Sequence, residues 1–407
     1  MKRIFILCVG CLMAMWGCQE EQVSPAKEEL RVLTLEEQEL IRSGNQFALD
    51  ITRQITEQQP GNVFLSPYYI NMLLSMALNG AENTTLKQMQ QVMQYDVLER
   101  LEINKVYNEL NPFLQSLDDD VQFVSAHAIW HHQDVSVRPL FRDMMIAYYD
   151  ANVEPVDYFN QKTPGQINNW VEEHTQGKVE TQMPSLVNPL AMYMVSATHI
   201  KGRWAYPFAK ESTAPGTFYL ENDDEVIVPM MFTDQASYRY YQDGRKTLVD
   251  VPYGNQQYYS MTILMPHQED SLSGLLQKLD AKNLESDLAL ADTLDYHLYL
   301  PKFTISSQLP LRNTLISMGM SEAFSLSANF SGIFNDSLQH GMADLIHQAG
   351  IQVDEAGTRT VMPRAAAALT DNTSPVVRVN RPFVFLIREN HSGVILYSGL
   401  FRQPRQQ

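Results

Sequence analysis

The chain has 407 residues, of which 44% are hydrophobic and 19% are charged, a composition typical of a packed globular protein and not of a disordered one. Its 47 acidic and 30 basic residues give a formal net charge of −17. This balance argues against nucleic acid or heparin as a partner, because phosphate and sulfate groups are bound by clustered lysine and arginine.

The N-terminus has the pattern of a bacterial export signal. Two basic residues precede an apolar run from Ile4 to Trp16, which is too short for a committed membrane span. The run ends in MWGCQEE, where a small residue before a cysteine resembles a lipobox. We expect a signal peptide over residues 1–17 and a lipid on Cys18; an ordinary cleaved signal with a spare cysteine is the alternative.

The expected location is a protein body anchored by this lipid to the bacterial outer membrane. The two glutamates shortly after Cys18 resemble the tract that sends some lipoproteins to the outer cell surface. Cys8 and Cys11 lie inside the signal, so the mature chain can form no internal disulfide. Residues 18–34 are polar and uneven, like a tether, and no linker or repeat divides residues 35–407, which we assign to one domain.

The first half of this domain is predicted to be mainly helical. In LSPYYINMLLSMALNGA, Ser66 is a candidate N-cap, Pro67 suits the first helical position and Gly80 can end the helix. The stretch TPGQINNWVEEHTQGKV has the same order, with Thr163 as the cap and Gly177 at the end.

The second half is predicted to be mostly β-strand. YYSMTILMP and YHLYLPKFTIS are rich in β-branched and aromatic residues, and FVFLIRENHSGVILYSGLF has the pattern of a hairpin. Helices and long strands without βαβ alternation indicate an α+β fold.

The sequence contains none of the motifs G-x-S-x-G, H-E-x-x-H or G-x-x-x-x-G-K-[ST] that mark common catalytic sites. His131 and His132 are adjacent, and neighbours on a strand point to opposite faces, so we do not expect them to share a metal. The run Asp118–Asp120 lacks the spaced acids and closing glutamate of a calcium loop. We predict no enzyme activity, no metal site and no cofactor.

Six segments resemble blocks of the serpin family and follow the family's order. The likeness covers roughly Leu35 to Arg402. The segments are NVFLSPYYINMLLSMALNGA, INNWVEEHTQGKV, IKGRWAYPF, LYLPKFTI, LISMGMSEAFSLSANFSGI and VNRPFVFLIRENHSGVILYSG. The resemblance implies a monomeric, single-domain α+β fold with helices around large, mostly antiparallel sheets and an exposed reactive-centre loop.

The resemblance also implies a metastable protease inhibitor that acts as a suicide substrate. A protease cuts the reactive-centre loop, and the freed segment inserts into the central sheet with the acylated protease attached. Residues Val353–Phe383 align with the hinge and this loop. Within the hinge, Glu355, Gly357 and Thr358 match the family's pattern of acid, glycine and threonine.

Other matched positions belong to the family's shutter and to the top of its sheet. Ser66 and His347 fall on the shutter, a polar cluster beneath the sheet, although Ser66 is also explained by a plain N-cap. Ser196 stands where the family has asparagine, which implies a different hydrogen-bond network. Trp204 matches the tryptophan at the top of the sheet, or it is ordinary aromatic core.

The hinge departs from the family where RTVMPR precedes the run of alanines. Arg359 and Arg364 are five residues apart, so on a strand they face opposite sides and one of them must face inward. Pro363 lacks a donor for a central strand. Two hypotheses remain: an inhibitor that tolerates these residues, which we favour, and a non-inhibitory serpin-fold lipoprotein that acts as a binding or decoy protein.

Counting without gaps from Gly357 places the scissile bond at Asp371–Asn372. If RTVMPR is an insertion, the bond moves toward Thr373–Ser374. The neighbouring Ala, Leu and Thr residues instead suit an elastase-like serine protease cutting near 369 or 370, and a cysteine protease is the other class left open. The sequence does not decide between these targets.

Overall fold

The computed structural model describes residues 30–179, 183–186, 191–335, 340–358 and 376–404. Within these ranges it contains helices and strands in an α+β arrangement. The helices are α1 (Leu35–Gln58), α2 (Pro67–Leu78), α3 (Asn83–Met93), α4 (Arg100–Ser116), α5 (Pro139–Tyr149), α6 (Thr163–His174), α7 (Leu272–Lys278), α8 (Ala281–Leu290) and α9 (Arg312–Ser317). None of these described helices is long and apolar enough to cross a membrane.

The strands fall into two sheets. They are β1 (Val63–Leu65), β2 (Val121–His132), β3 (Asn152–Val156), β4 (Ala191–Arg203), β5 (Ala214–Tyr219), β6 (Glu225–Gln242), β7 (Lys246–Tyr253), β8 (Tyr259–Pro266), β9 (Asp292–Pro301), β10 (Phe303–Pro310), β11 (Gly341–Asp354), β12 (Gly357–Thr358), β13 (Val376–Arg378), β14 (Phe383–Glu389) and β15 (Ile395–Phe401). One sheet has the order β1-β15-β14-β8-β7-β6-β9-β13, with β5 on β6. The other, which we call the central sheet, has the order β10-β11-β12-β4-β2-β3.

Helix α2 forms as its sequence predicts. The Ser66 side chain caps it by accepting the backbone N–H of Tyr69, and Pro67 is the first helical residue. Every residue of α2 is buried, because the helix lies in the core beneath the central sheet. Gly80 does not end the helix through a left-handed turn; instead a Cβ on it would lie 2.1 Å from Ile333, so its role is close packing.

Helix α6 covers the opposite face of the central sheet. It begins at Thr163, one residue earlier than predicted, with Lys162 at the cap position, and Gly177 follows its end with φ +68°. The Thr163 side chain makes no cap bond and donates to the Asp157 carbonyl at 2.6 Å. Ile167 and Val171 of α6 pack in one cluster with residues of β2, β4 and β11. The central sheet is thus enclosed between the α2 layer and α6.

The hairpin predicted near the C-terminus is confirmed. Strands β14 and β15 pair in antiparallel fashion, from Phe383 opposite Phe401 to Arg388 opposite Ile395. Gly393 in the connecting turn has φ +77°, a left-handed conformation that glycine adopts without strain. The α+β prediction is confirmed as well.

Candidate functional site

The hinge residues Gly357 and Thr358 form the short strand β12 inside the central sheet. Thr358 lies opposite Val353 of β11 on one side and Gly202 of β4 on the other, and both pairings are antiparallel. The chain therefore turns back at the end of β11 and begins a new strand between β11 and β4.

Beyond β12, strands β4 and β11 pair directly with each other. This ladder is parallel and runs from Ala191 opposite Gly341 to His199 opposite Gly350. The central sheet is consequently closed along most of its length, and β12 separates the two strands only at one end.

Two residues allow β12 to fit between the closely spaced strands β4 and β11. Gly357 has φ +143°, and a Cβ there would lie 2.0 Å from the Gly202 carbonyl oxygen, so no other residue fits without displacing the backbone. Thr358 is fully buried. Its Oγ1 accepts the Gly202 N–H at 2.9 Å and donates to the Gly202 carbonyl at 3.3 Å.

Glu355 fastens the turn between β11 and β12. The Lys302 Nζ donates to its Oε2 at 2.9 Å, and the Thr213 hydroxyl donates to its Oε1 at 2.9 Å. Its carbonyl accepts the Phe208 N–H at 2.9 Å. Burial raises the pKa of Glu355, but the hydrogen bonds from Lys302, the backbone and Thr213 outweigh burial, and the net pKa is lowered. The carboxylate is therefore ionised at neutral pH.

Trp204 lies against the same turn. Its Nε1–H donates to the Asp354 carbonyl at 2.9 Å, and its backbone N–H donates to the Ala356 carbonyl at 3.1 Å. The indole stacks on Tyr253 with ring centroids 4.5 Å apart and planes 9° apart. Trp204 is thus both aromatic core and a direct support of the hinge.

Ser66 and His347 meet beneath the middle of the central sheet. The Ser66 N–H donates to His347 Nε2 at 2.9 Å, and the Ser66 hydroxyl donates to the Leu396 carbonyl at 2.6 Å. The cap of α2 and this contact coexist, because the cap uses the lone pairs of the Ser66 oxygen whereas the contact uses its backbone nitrogen.

Ser196 lies next to His347 but does not join this network. On β4 it stands opposite His347 of β11 and, on its other side, opposite His127 of β2. All three side chains are buried, and within the described part of the chain the Ser196 hydroxyl has no hydrogen-bond partner. At this position the hydrogen-bond network therefore lacks a bond from the serine to His347.

The hinge and the Ser66–His347 contact are two separate places in one sheet. Along β4 they are marked by Gly202 and Ser196, six residues apart, which corresponds to about 20 Å of strand. What connects them is the boundary between β4 and β11. Several predicted positions lie outside the described residues: Cys18, Arg359, Pro363, Arg364, Asp371 and Asn372.

Comparison with known proteins identifies the family of this architecture. The family model described as Serpin (serine protease inhibitor) matches residues 42–404. The chain belongs to the serpin family.

Relatives of this serpin come from several kingdoms. An uncharacterized serpin-like protein of Methanosarcina mazei is 27% identical, and the match covers 99% of each chain. Iripin-8 of Ixodes ricinus is 31% identical over 88% of this chain and 92% of its own. Human thyroxine-binding globulin complexed with thyroxine has a TM-score of 0.83 at 25% identity, with 91% of this chain and 100% of that chain covered. The serpin fold predicted from the sequence is confirmed.

Two residues of the site, Lys302 and His127, are not predicted from the sequence. Lys302 lies in the quoted block LYLPKFTI, but its pairing with Glu355 depends on a contact across 53 positions. His127 could have been suspected, because it is a polar residue among apolar inward-facing positions of β2. No group of three metal-ligating side chains occurs among the described residues.

Proposed function

We propose that this serpin inhibits a protease as a suicide substrate, by cleavage of its reactive-centre loop and insertion of the freed segment into the central sheet. The observation that carries the proposal is β12. Its two residues already lie between β4 and β11 and run antiparallel to both, as an inserted strand would. β12 thus supplies the first two residues from which such a strand could be extended.

Insertion has a physical driving force in this geometry. A longer strand would replace one parallel β4–β11 ladder with two antiparallel ladders, and antiparallel pairing is slightly more stable per residue. The existing ladder must break first, which provides a barrier. The closed sheet is therefore a state that stores free energy until cleavage releases the segment.

The register of β12 decides which arginine would face inward. Continuing the pairing of Thr358 with Gly202 and Val353 by six residues places Arg364 opposite Ser196 and His347. Opposite residues share a face, and His347 faces α2, where it contacts Ser66. In the inserted state Arg364 would thus face the buried core.

Arg359 would take the other face in the same register. Its opposite neighbours would be Lys201 and Gln352, which are half-buried. A guanidinium there can reach water through its flexible stem, whereas Arg364 would be desolvated beside His347. Among the described residues, the free hydroxyl of Ser196 and the one unprotonated ring nitrogen of neutral His127 would offer it acceptors, although no counter-ion.

The alternative function is a non-inhibitory binding or decoy protein on the same fold. It is favoured by one observation, the desolvation of Arg364 that full insertion requires. Thyroxine-binding globulin, which is similar to this chain in structure, binds thyroxine. The two functions differ in whether cleavage leads to a trapped protease.

The bond and the target protease are part of the proposal. Gap-free counting gives Asp371–Asn372, which fits a protease that prefers an acidic residue, whereas the small residues before it fit an elastase-like serine protease. Mass spectrometry of the released C-terminal fragment identifies the bond. A cut before Ala365 would contradict both assignments, because too little strand would remain to insert.

The central test is incubation with trypsin-, elastase- and subtilisin-like proteases, followed by denaturing electrophoresis. We expect a covalent complex with at least one of them, stable in SDS. Nicking of the loop by all of them without any complex would refute the inhibitor proposal and leave the binding protein.

A matched variant separates cleavage from trapping. Thr358→Arg places a charge at a fully buried position of β12, so the strand cannot start. We expect the variant to be cut at the same bond while forming no complex. Equal complex formation by the variant would show that β12 plays no part.

A further inference from the structure

Three polar side chains form a row across adjacent strands of the central sheet. His127 of β2 lies opposite Ser196 of β4, and Ser196 lies opposite His347 of β11. His127 is 4% exposed, and the other two are 0% exposed. The row spans the boundary between β4 and β11, which is the boundary that any inserted strand must part.

The hydrogen bonds of this row are incomplete. His347 Nε2 accepts the Ser66 N–H at 2.9 Å, so in the neutral ring the proton is on Nδ1. Among the described residues, His347 Nδ1, both ring nitrogens of His127 and the Ser196 hydroxyl have no partner. Within the described part of the chain, neither ring therefore has an acceptor that would stabilise the N–H added by protonation.

Among the described residues, no charged group that shifts the pKa of either ring favours its protonation. The titratable neighbours are Tyr69 of α2, whose ring centroid is 5.2 Å from that of His127, and Tyr397 of β15, 6.4 Å from Tyr69. Burial raises the pKa of both phenols, so they stay neutral in acid. On β10, the residue paired with His347 is the apolar Leu309.

Burial lowers the pKa of His127 from 6.5 to about 3. Burial, followed by the proximity of His127, lowers the pKa of His347 from 6.5 to about 3 as well. Each ring is therefore neutral in the closed sheet and binds a proton more tightly once it is hydrated. Between pH 6.5 and 3, falling pH favours any state that exposes them.

We propose an acid-operated release: in acid, protonation of both His127 and His347 separates β11 from β4. Protonation of His347 places an N–H against the Ser66 N–H that it now accepts, and this contact becomes repulsive. The imidazolium rings can gain water by separation of the parallel ladder, which β12 already interrupts at one end. Opening can spread from that end.

The release would limit the working pH of the protein. If the proposed inhibitory function holds, on which this consequence rests, the closed state that awaits a protease is retained near neutral pH and lost in acid. The opening itself does not depend on any protease. It can therefore be tested whether or not the protein traps one.

The test is amide hydrogen exchange by mass spectrometry on the full chain between pH 7.5 and 4.5, with rates corrected for intrinsic exchange. We expect protection of the β11 amides to fall by up to tenfold per pH unit for each histidine below pH 6.5. Protection of β14, which lies in the other sheet, should change much less. An equal fall in both strands would indicate global unfolding and overturn the proposal.

Three variants test whether the two histidines cause the pH dependence of β11 protection. His127→Phe keeps a ring beside Tyr69 and should halve the logarithmic pH slope; adding His347→Gln, whose amide oxygen can accept the Ser66 N–H, should remove it. The exposed His174→Phe is the matched control and should behave as the unaltered protein. An unchanged slope in His127→Phe overturns the proposal.

A second measurement needs no variant, in case the double substitution prevents folding. Exchange of the imidazole C2 hydrogen reports the pKa and the accessibility of each histidine in the unaltered protein. Slow exchange and values far below 6.5 for His127 and His347 support the release. Values near 6.5 for either ring overturn it, independently of any result with proteases.

Discussion

Glu355 and Gly357 show how single residues define the hinge. Glu355 supplies the charge that ties the β11–β12 turn to Lys302 and Thr213. Gly357 supplies a backbone conformation and an absence of side chain that the approach of Gly202 requires. One residue acts through electrostatics and the other through sterics, so their substitution should have different signatures.

Replacing Glu355 with Gln should lower the free energy of unfolding by about 1–2 kcal/mol at pH 7, a value reduced because Lys302 is partly exposed. The pKa of Glu355 is lowered in the folded protein, so its stabilisation is present above the ordinary pKa of 4.5 and is lost as pH falls through the lowered value. Urea unfolding at several pH values checks this. The exposed Glu285→Gln is the control, and a difference for Glu355→Gln that persists unchanged in acid would contradict the ion-pair explanation.

Replacing Gly357 with Ala should release β12 from the sheet. The strained φ and the clash with Gly202 cost about 1–3 kcal/mol, which exceeds what two paired residues can supply. We expect the Thr358 amide to lose protection from exchange and the Trp204 fluorescence to change. Gly244→Ala, where a Cβ meets open space, should alter neither signal. An unchanged β12 in Gly357→Ala would show that the hinge backbone adapts.

At the scale of secondary-structure elements, the proposed insertion depends most on the boundary between β4 and β11. It is parallel, it lies between two antiparallel pairings, and it ends where β12 enters. The same boundary holds the positions opposite which Arg359 and Arg364 would lie after insertion. The register therefore ranks the two arginines, which their spacing alone could not do.

Arg364→Ala should favour insertion more than Arg359→Ala. Removing the inward-facing charge relieves a desolvation cost of several kcal/mol, whereas the outward-facing one costs little. The measure is the ratio of trapped to cleaved protein with a target protease, together with the thermal midpoint after cleavage. A larger gain for Arg359→Ala would mean that the segment inserts one residue out of the β12 register.

For the whole molecule, the closed central sheet predicts a gain in stability on loop cleavage. Two ladders replace one, a net gain on the order of ten hydrogen bonds at about 1 kcal/mol each. For a protein of this size, that corresponds to a rise of the thermal midpoint on the order of 10 °C. Calorimetry before and after cleavage measures it. An unchanged midpoint would show that Arg359, Pro363 and Arg364 block insertion, and replacing all three with Ala should then restore the rise.

The proposed lipid anchor concerns the placement of the whole molecule. Cys18 lies outside the described residues, so the prediction depends on the sequence MWGCQEE. Labelled fatty acid should appear on the protein expressed in a bacterial host and disappear in Cys18→Ala. Label that survives the substitution would contradict the lipobox assignment.

The sequence determined the family, the α+β class and the local structures whose signals lie within a few residues. The cap at Ser66, the first-turn Pro67 and the hairpin turn near Gly393 depend on neighbouring side chains and on backbone preferences, which are visible in the chain itself. Even there the start of α6 shifted by one residue, because Thr163 donates to Asp157 instead of capping the helix.

Only the tertiary structure decided which side chains meet across the central sheet. Lys302 reaches Glu355, and His127 joins Ser196 and His347, because strands distant in the chain become neighbours in one register. Strand periodicity is two, so the sequence could state that one of two arginines must face inward but not which one. The choice follows from two residues of β12, whose partners on β4 and β11 fix the register.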